Sequence, residues 1–311
     1  MRLGTQQGVG VVTNPYVIPP PLDGQPSCWA CFGLRKLRRT YTGNALWVRR
    51  TSDNVEVEVG FDASGEVSMD SPIADVTEFT ASPSSSGDHG GTATLAGFSS
   101  STDVHVVKWL DQSGNDRDVH NTTGAQQPKL ISSGSFVTDP INFDGTDDWF
   151  TSASRLDNSN DRQTILAVVK KDTGTGSMGL VSCMDNFNDG SELFATSNYW
   201  SYRLNTTDLE DFSGGVAQIS NTSKELVVAS YTPAESSNEQ KLRVNGSLIL
   251  QQNCTANLNV GGKFLAISKR VSTSSLYEWN GGISEIIIWQ EALTSAQLSY
   301  VEKNVIDHHN I

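Results

Sequence analysis

Short apolar or alternating segments follow one another along most of this chain, and turn residues separate them. Segments of this length that are rich in β-branched and aromatic side chains are typical of β-strands. The predicted strands cover residues 45–50, 55–61, 104–110, 164–170, 198–204, 225–231, 241–246, 263–269 and 283–289. Their short spacing predicts a β-sandwich or jelly roll rather than alternating strands and helices.

Turn residues define the connections between these strands. Asn245-Gly246 lies between the segments KLRV and SLIL, and this dipeptide is a strong signal for a two-residue hairpin. Residues 81–102 are rich in Ser, Gly and Thr and are predicted to form a long surface loop.

A short helix is predicted near the N-terminus, over CFGLRKLRRTY (31–41). Leu34, Leu37 and Tyr41 would share one helix face, and Gly43 would end the helix.

A second helix is predicted at the C-terminus, within EALTSAQLSYVEKNV (291–305). Thr294 and Gln297 have the spacing of a capping box, and Leu293 and Leu298 occupy the positions of a hydrophobic staple. Leu298, Val301 and Val305 form one apolar stripe, which predicts a helix folded back on the sandwich.

The chain divides into an arm and one domain. Residues 1–27 contain five of the ten prolines and are predicted to be an extended arm. Residues 28–311 show no repeat and no second composition, which predicts a single sandwich domain.

Charge and hydropathy restrict the partners of the chain. A net charge of −13 argues against nucleic-acid binding. Seven Lys and Arg but only one acid, Asp23, fall in residues 1–50; they could dock an acidic subunit or form a solvated helix face. No apolar run is long enough to insert into a membrane, and no signal-peptide pattern is present, so we expect folding in a reducing cytoplasm.

The four cysteines are too sparse for a disulfide scaffold. Cys28 and Cys31 spell a CxxC motif, but a Pro-rich segment precedes it and no further pair of ligands follows at close spacing. We therefore expect neither redox chemistry nor a zinc site there.

The polar segment WLDQSG (109–114) allows three interpretations. Asp111 followed by Ser113 and Gly114 suits an Asx-type turn that locks one strand to the next, and this is the favoured interpretation. The alternatives are catalysis and a calcium site with ligands from Asp111, Asp116, Asp144, Asp147 and Asp148.

Candidates for sugar binding and hydrolysis lie on other strands. Trp200, Tyr202 and Tyr199 could bind a sugar together with Asn186 and Asn188, but packing in the core or on the sheet surface is the favoured interpretation of these aromatic residues. A glycosidase needs two carboxyl groups, and among the predicted strands only Glu285 is a mid-strand acid. His308 and His309 are interpreted as a solvated helix end.

The C-terminal third carries a family resemblance. RVNGSLI (243–249), KFLAISKR (263–270) and YEWNGGISEIIIWQEALTSAQLSYVEKNV (277–305) resemble the concanavalin-A-like lectin/glucanase superfamily in its laminin-G-like form. INFDGTDDWF (141–150) resembles a strand-turn-strand of the same superfamily, with the turn at Asp144-Gly145.

The front half has a narrower resemblance. LRKLRRTYTGNALWVRRTSDN (34–54) and VVKWLDQSGND (106–116) resemble α-L-arabinofuranosidase B and structural proteins of bacteriophages. Leu110 replaces the tyrosine usual in the enzyme, Asp116 replaces a glycine, and the enzyme's adjacent cysteines have no counterpart.

These resemblances imply an all-β, concanavalin-A-like jelly-roll sandwich with a short N-terminal and a C-terminal helix. The function they favour is a bacteriophage virion protein: a capsid decoration, fibre or tail-associated module. Residues 1–27 would bind other virion proteins, the chain would form a homo-oligomer such as a trimer, and a host-surface polysaccharide would be a weak ligand. A hydrolase resembling arabinofuranosidase and a free-standing lectin are the alternatives. No catalytic, cofactor or metal residue is assigned, with Ca²⁺ left open.

Overall fold

The computed structural model describes residues 18–75, 93–137, 141–155, 162–172, 176–186, 189–196, 198–204, 218–233, 238–254, 258, 261–269 and 278–311. The strands in these ranges are β1 Ala30–Gly33, β2 Leu46–Arg50, β3 Glu56–Val59, β4 Ile73–Asp75, β5 Val104–Trp109, β6 Val119–His120, β7 Lys129–Ser132, β8 Ser135–Phe136, β9 Ile141–Asp144, β10 Phe150–Arg155, β11 Gln163–Lys171, β12 Ser177–Asn186, β13 Asp189–Thr196, β14 Tyr199–Leu204, β15 Glu225–Thr232, β16 Asn238–Val244, β17 Ser247–Cys254, β18 Phe264–Ile267 and β19 Asn280–Trp289. The helices are α1 Leu95–Ser99 and α2 Ser295–His309, with a 3₁₀ turn at Gly124–Gln126.

Antiparallel pairing arranges these strands in two layers. The back sheet runs β4-β3-β2-β5-β7-β9-β19-β11-β15-β16-β17, and β1 pairs with the C-terminal half of β19. The front sheet runs β6-β10-β18-β12-β13-β14, and β6 also pairs with β5, which joins the layers. The predicted all-β sandwich is confirmed.

The central strands of the back sheet are buried on both faces. Ile165, Ala167 and Val169 of β11 face the core between the two sheets, whereas Leu166 and Val168 face outward into a second core. Burial on both faces explains why β11, β15 and β19 read as nearly continuous apolar runs. The hairpin at Asn245-Gly246 also forms as predicted, because β16 and β17 pair up to Val244↔Ser247.

Helix α2 covers the outer face of the back sheet. The capping box is confirmed, since the Gln297 backbone N–H donates to Thr294 Oγ1 at 3.3 Å and the Thr294 N–H donates to Gln297 Oε1 at 2.8 Å. Val301 and Val305 are buried in the second core, and Leu298 packs against it. Neither helix in the described ranges has the length and apolar character that a membrane crossing requires.

The predicted helix over residues 31–41 is wrong. Strand β1 occupies its start and pairs with β19 from Ala30↔Ile288 to Gly33↔Glu285. In a helix the Leu37 N–H would donate to the Gly33 carbonyl. Instead, the Gln112 side chain accepts from the Leu37 N–H at 2.9 Å and donates to the Gly33 carbonyl at 3.0 Å. Partners distant in sequence therefore override the local helical pattern.

Residues 18–27 of the predicted arm pack on the domain. Leu22 is fully buried in the second core, and the Asn304 side chain donates to the Pro19 carbonyl at 2.6 Å. Residues 1–17 lie outside the described residues, so the extended arm remains a prediction for that part.

The predicted loop over residues 81–102 contains helix α1 in its described portion. Thr94 caps this helix by accepting from the Gly97 N–H at 3.5 Å, and Leu95 and Phe98 are fully buried. The two apolar side chains anchor a segment whose composition predicted only a loop. Residues 81–92 lie outside the described residues.

Candidate functional site

The segment after β5 forms the predicted turn around Asp111. Asp111 Oδ1 accepts from the Ser113 N–H at 2.9 Å, which makes the Asx turn, and from the Cys31 N–H of β1 at 2.8 Å. Asp111 Oδ2 accepts from the Ser113 hydroxyl at 2.5 Å and from the Arg117 N–H at 3.1 Å. Four donors therefore surround a carboxylate that is 5% exposed.

Neighbouring side chains extend the same contact to the chain around β1. Asn115 and Arg117 each donate to the Trp29 carbonyl, at 3.0 and 3.1 Å. The Arg117 guanidinium also lies 4.2 Å from the Trp29 ring centroid. Together with the bonds of Gln112, these contacts make residues 111–117 a structural lock, and the interpretation favoured from the sequence is confirmed.

The predicted calcium ligands separate into two places. Asp144, Asp147 and Asp148 have carboxylate oxygens within 4.8 Å of one another at the β9–β10 turn. Asp111 and Asp116 do not belong to this cluster. Burial and the charge of Asp144 raise the pKa of Asp148 to about 7. The turn at Asp144-Gly145 forms as predicted, with the Thr146 N–H donating to Asp144 Oδ1 at 2.8 Å.

The predicted sugar-binding aromatics are core residues. Trp200 and Tyr202 are fully buried, and Trp200 stacks on Trp279 with ring centroids 5.7 Å apart. Their polar atoms are satisfied inside, because Trp200 Nε1 donates to Glu225 at 3.0 Å and the Tyr202 hydroxyl donates to Gln163 at 3.1 Å. The favoured interpretation, packing in the core, is confirmed for Trp200 and Tyr202, and the sugar-binding alternative is wrong for these two residues.

Of the remaining members of that hypothesis, the structure describes the side chain of Tyr199 only. Tyr199 is half-buried and bridges to Gln218. Asn188 and the side chain of Asn186 lie outside the described residues.

Glu285, the mid-strand acid, belongs to a buried ion pair. Arg35 contacts it through Nε at 2.9 Å and Nη2 at 3.3 Å, and His309 Nε2 lies 3.1 Å from Oε2. Burial alone would raise the pKa of Glu285, but Arg35 and His309 outweigh burial and lower it to about 2. The sequence suggested that the arginine-rich segment and the end of the C-terminal helix are solvated. The first suggestion is wrong for Arg35 and the second is wrong for His309, because both side chains are almost completely buried.

The CxxC cysteines are buried free thiols in the second core. A hydrogen bond from Cys31 lowers the pKa of Cys28, whereas burial raises the pKa of Cys31 well above its usual value. Cys31 lies on β1, where it pairs with β19 and donates its backbone N–H to Asp111 of the structural lock. These contacts explain its buried position.

A row of residues in register crosses the outer face of the front sheet, and we call it the outer row. Its members, from β5 to β14, are Lys108, His120, Thr151, Ala266, Ser182, Glu192 and Arg203. Paired residues point to the same side of a sheet, so these side chains share one face.

Glu192 is the carboxylate of the outer row and was missed from the sequence. It is fully buried, and Arg203 Nη1 lies 3.6 Å from its Oε2. The alternation in SELFAT is the signal that could have identified Glu192. Leu193 and Ala195 face the core, whereas Glu192 and Phe194 face away from it.

A pocket of about 270 Å³ opens on β10 and β18, beside Thr151 of the outer row, and we call it the Trp149 pocket. Its lining consists of Trp149, Thr151, Ser152, Phe264, Ala266 and Lys269. Trp149 and Phe264 are partly exposed, and the Lys269 ammonium lies 4.1 Å from the Trp149 ring centroid. Apolar rings beside hydroxyl and ammonium donors are the chemistry that binds a sugar.

Comparison with known proteins supports the β-sandwich. No protein-family model matches the chain, and no curated protein matches its sequence. A GH54 α-L-arabinofuranosidase soaked with a cyclic sulfate inhibitor aligns with a TM-score of 0.58 and 12% identity, over 91% of this chain and 63% of that one. An arabinofuranosidase complexed with arabinofuranosyl-α-1,2-xylobiose aligns with a TM-score of 0.56 and 11% identity, over the same shares.

These similarities define a class of fold, a β-sandwich. This chain spans less than two thirds of the arabinofuranosidase chains, and at such low identity the alignment shows the fold alone. The receptor-binding domain of botulinum neurotoxin D aligns with a TM-score of only 0.45 and 14% identity, over 64% of this chain and 50% of that one. The narrower resemblances to laminin-G-like and bacteriophage proteins remain predictions.

Proposed function

We propose that this chain is a glycan-binding β-sandwich module and that the Trp149 pocket is where it holds a sugar. The observation that carries the proposal is the pair of partly exposed aromatic rings, Trp149 and Phe264, on the outer face of the front sheet. A sugar ring stacks its apolar face on such a ring, while its hydroxyl groups accept from the Lys269 ammonium and donate to the Thr151 hydroxyl oxygen, whose own proton goes to the Leu265 carbonyl at 3.2 Å.

The outer row extends the proposed surface beyond the pocket. Thr151 belongs to both, and His120 pairs with Thr151 on one side while Ala266 pairs with it on the other. A ligand longer than one sugar ring would therefore meet polar side chains toward β6, where His120 is half-buried. Burial lowers the pKa of His120, so its ring is neutral at pH 7 and can both donate and accept.

Replacing Trp149 with alanine is expected to weaken binding of the sugar by at least about tenfold, because the stacking surface is lost. The probe is arabinofuranosyl-α-1,2-xylobiose, the ligand of the structurally similar arabinofuranosidase. A panel of surface polysaccharides serves as the second probe. Isothermal titration calorimetry measures both. Tyr300→Ala is the matched control, because Tyr300 is 41% exposed on α2.

Two results would overturn this proposal. One is the absence of binding to every member of the panel by the unmodified chain. The other is equal binding by the unmodified chain and the Trp149→Ala variant, which would place the ligand elsewhere.

Hydrolysis is the second candidate function, and Glu192 is the observation that favours it. A mid-strand carboxylate on the outer face, 3.6 Å from Arg203, has the position expected of a catalytic acid in a sandwich enzyme. Hydrolysis needs a second carboxyl group about 5–10 Å from the first. Glu192 is the one carboxylate in the outer row, so a second carboxyl group would have to come from outside this row. Release of arabinose from the same probe by the unmodified chain, and its loss in Glu192→Gln, would establish hydrolysis in place of simple binding.

The setting we propose for this module is a bacteriophage virion, with residues 1–17 attaching the chain to other virion proteins or sister chains. The resemblance of residues 34–54 and 106–116 to phage structural proteins supports this setting. The Pro-rich composition of the N-terminus supports an attachment role.

Deleting residues 1–17 is expected to convert an oligomer, such as a trimer, into a monomer with an intact fold. The deletion stops before Pro19 and Leu22, because both contact the domain. Light scattering after size exclusion measures the mass, and a variant with a Gly/Ser segment in place of residues 1–17 controls for length. A monomer in the unmodified chain would contradict the attachment role.

A further inference from the structure

We propose that the ligand of the Trp149 pocket is an acidic sugar, one that carries a carboxylate on its ring. The inference rests on the proposed function, because it names the class of sugar that the same pocket holds. Lys269 is the side chain behind it, since its ammonium lines the pocket and lies 4.1 Å from the Trp149 ring centroid. A carboxylate beside an ammonium makes a charge-assisted hydrogen bond, which is stronger than the bond of a neutral hydroxyl group.

The charge of the Trp149 pocket differs from that of the whole chain. The chain has 35 acidic residues and 22 Lys and Arg, whereas the residues that line this pocket include one lysine and no acid. The pocket beside Cys28 includes Glu291, and the pocket beside His308 includes Glu66. A ligand carboxylate would meet a protein carboxylate in either of those pockets but not in the Trp149 pocket, and like charges repel.

The Lys269 ammonium is held by a ring and not by a carboxylate in contact with it. In the part of the chain that the structure describes, Lys269 forms no ion pair, although its charge acts on Glu278. Burial raises the pKa of Glu278, and the charge of Lys269 opposes this shift. Glu278 is 6% exposed and does not line the pocket, whereas Lys269 is partly exposed. An acidic ligand therefore supplies a carboxylate that can reach the ammonium directly.

The position of the ammonium over the ring distinguishes acidic from neutral sugars. A neutral sugar that stacks on this face of Trp149 displaces the ammonium and loses the cation–π contact. An acidic sugar keeps the ammonium at the pocket, because its carboxylate pairs with it. The ring also restricts the Lys269 side chain before the ligand arrives, which reduces the entropy lost on binding.

A second cation lies at the other end of the pocket. Arg155 of β10 is the register partner of Phe264 of β18, and its guanidinium lies 4.4 Å from the Phe264 ring centroid. A hydrogen bond to the Gly262 carbonyl fixes this guanidinium. Trp149 and Lys269 lie at the opposite end of the β10–β18 pair, so each end has a cation over an aromatic ring. A short chain of acidic sugars that follows these strands would meet both cations.

The test is isothermal titration calorimetry of the full chain with trigalacturonic acid and with its carboxyl-reduced form, in which each carboxylate has become a hydroxymethyl group. We expect the unmodified chain to bind the acidic trisaccharide at least about tenfold more tightly than the reduced one. In Lys269→Gln the ratio of the two dissociation constants should fall to about two or less, whereas Lys269→Arg should retain most of the preference. Lys303→Gln is the matched control, because the Lys303 side chain on α2 is 75% exposed, and it should leave the ratio unchanged.

The outcomes separate this inference from the proposed function. Trp149→Ala should weaken binding of both trisaccharides, because both use the stacking surface. Equal affinity of the unmodified chain for the two trisaccharides, or an unchanged ratio in Lys269→Gln, would overturn the assignment of an acidic sugar and leave glycan binding standing. Binding of arabinofuranosyl-α-1,2-xylobiose without binding of trigalacturonic acid would have the same meaning. Absence of binding to every sugar tested would overturn both.

Discussion

Replacing Arg35 with methionine is expected to lower the free energy of unfolding by about 3–5 kcal/mol, because it leaves a buried carboxylate without its partner. Glu285 is fully buried, and the Arg35 side chain beside it is 5% exposed. Arg35 also donates to Asn304 on α2 at 3.2 Å, so its guanidinium joins the strand to the helix. Urea unfolding followed by circular dichroism measures the change.

An exposed arginine from the same segment provides the matched control. Arg39 is 76% exposed and lies 3.5 Å from Asp23. Arg39→Met should therefore change stability by less than about 1 kcal/mol. The double variant Arg35→Met/Glu285→Gln should recover part of the loss, because no buried charge is left unpaired. A loss in Arg35→Met no larger than that in Arg39→Met would contradict the prediction.

The same ion pair gives the stability a defined pH dependence. The pKa of Glu285 is about 2 in the folded chain and about 4.3 in an unfolded one. Because the folded value is lower, the stabilisation is fully present above about pH 4.3 and is lost as the pH falls toward 2. Glu285→Gln should flatten the stability profile between these two values.

Replacing Asp111 with alanine is expected to cost about 3 kcal/mol of stability. The carboxylate accepts from the backbone N–H groups of Cys31, Ser113 and Arg117. The Cys31 N–H is buried, so its loss of an acceptor is the largest part of the cost, whereas the other two can find water. Urea unfolding measures the loss, and hydrogen exchange at Cys31 reports whether β1 has been released.

Two further substitutions make this prediction specific. Asp111→Asn keeps one acceptor oxygen and should give an intermediate loss. Asp70→Ala removes an exposed carboxylate that accepts none of the described hydrogen bonds and should change stability by less than about 0.5 kcal/mol. If Asp111→Ala were as stable as Asp70→Ala, residues 111–117 would be an ordinary turn.

Local patterns predicted nine of the nineteen described strands, and helix α2, because the signals lie within each segment. β11, β15 and β19 are apolar because both of their faces are buried, and the capping box of α2 occupies four consecutive residues. The helix predicted over residues 31–41 failed because its hydrogen-bond partner, Gln112, is 75 positions away from Leu37. Spacing within the segment carries no information on such a partner.

The candidate site was predicted only in part for a related reason. Alternation showed that Trp200 and Tyr202 share one face of β14, but it could not show that this face is the inner one. Glu192 escaped notice because its strand, Asp189–Thr196, has an apolar run of only three residues, from Leu193 to Ala195. The outer row exists only through the register of seven strands, and register between distant strands is absent from local patterns.

The central position of the last strand has a consequence for how the chain folds. β19 pairs with β1, β9 and β11, so residues near 30 and 165 can pair only once residue 288 is present, and residues near 141 only once residue 283 is present. Contacts of such sequence separation are slow to form. A ribosome that has not yet synthesised residues 280–289 holds a nascent chain with three unpaired strand edges, which are prone to aggregation. Completion of the back sheet thus requires that residues 280–289 have been synthesised.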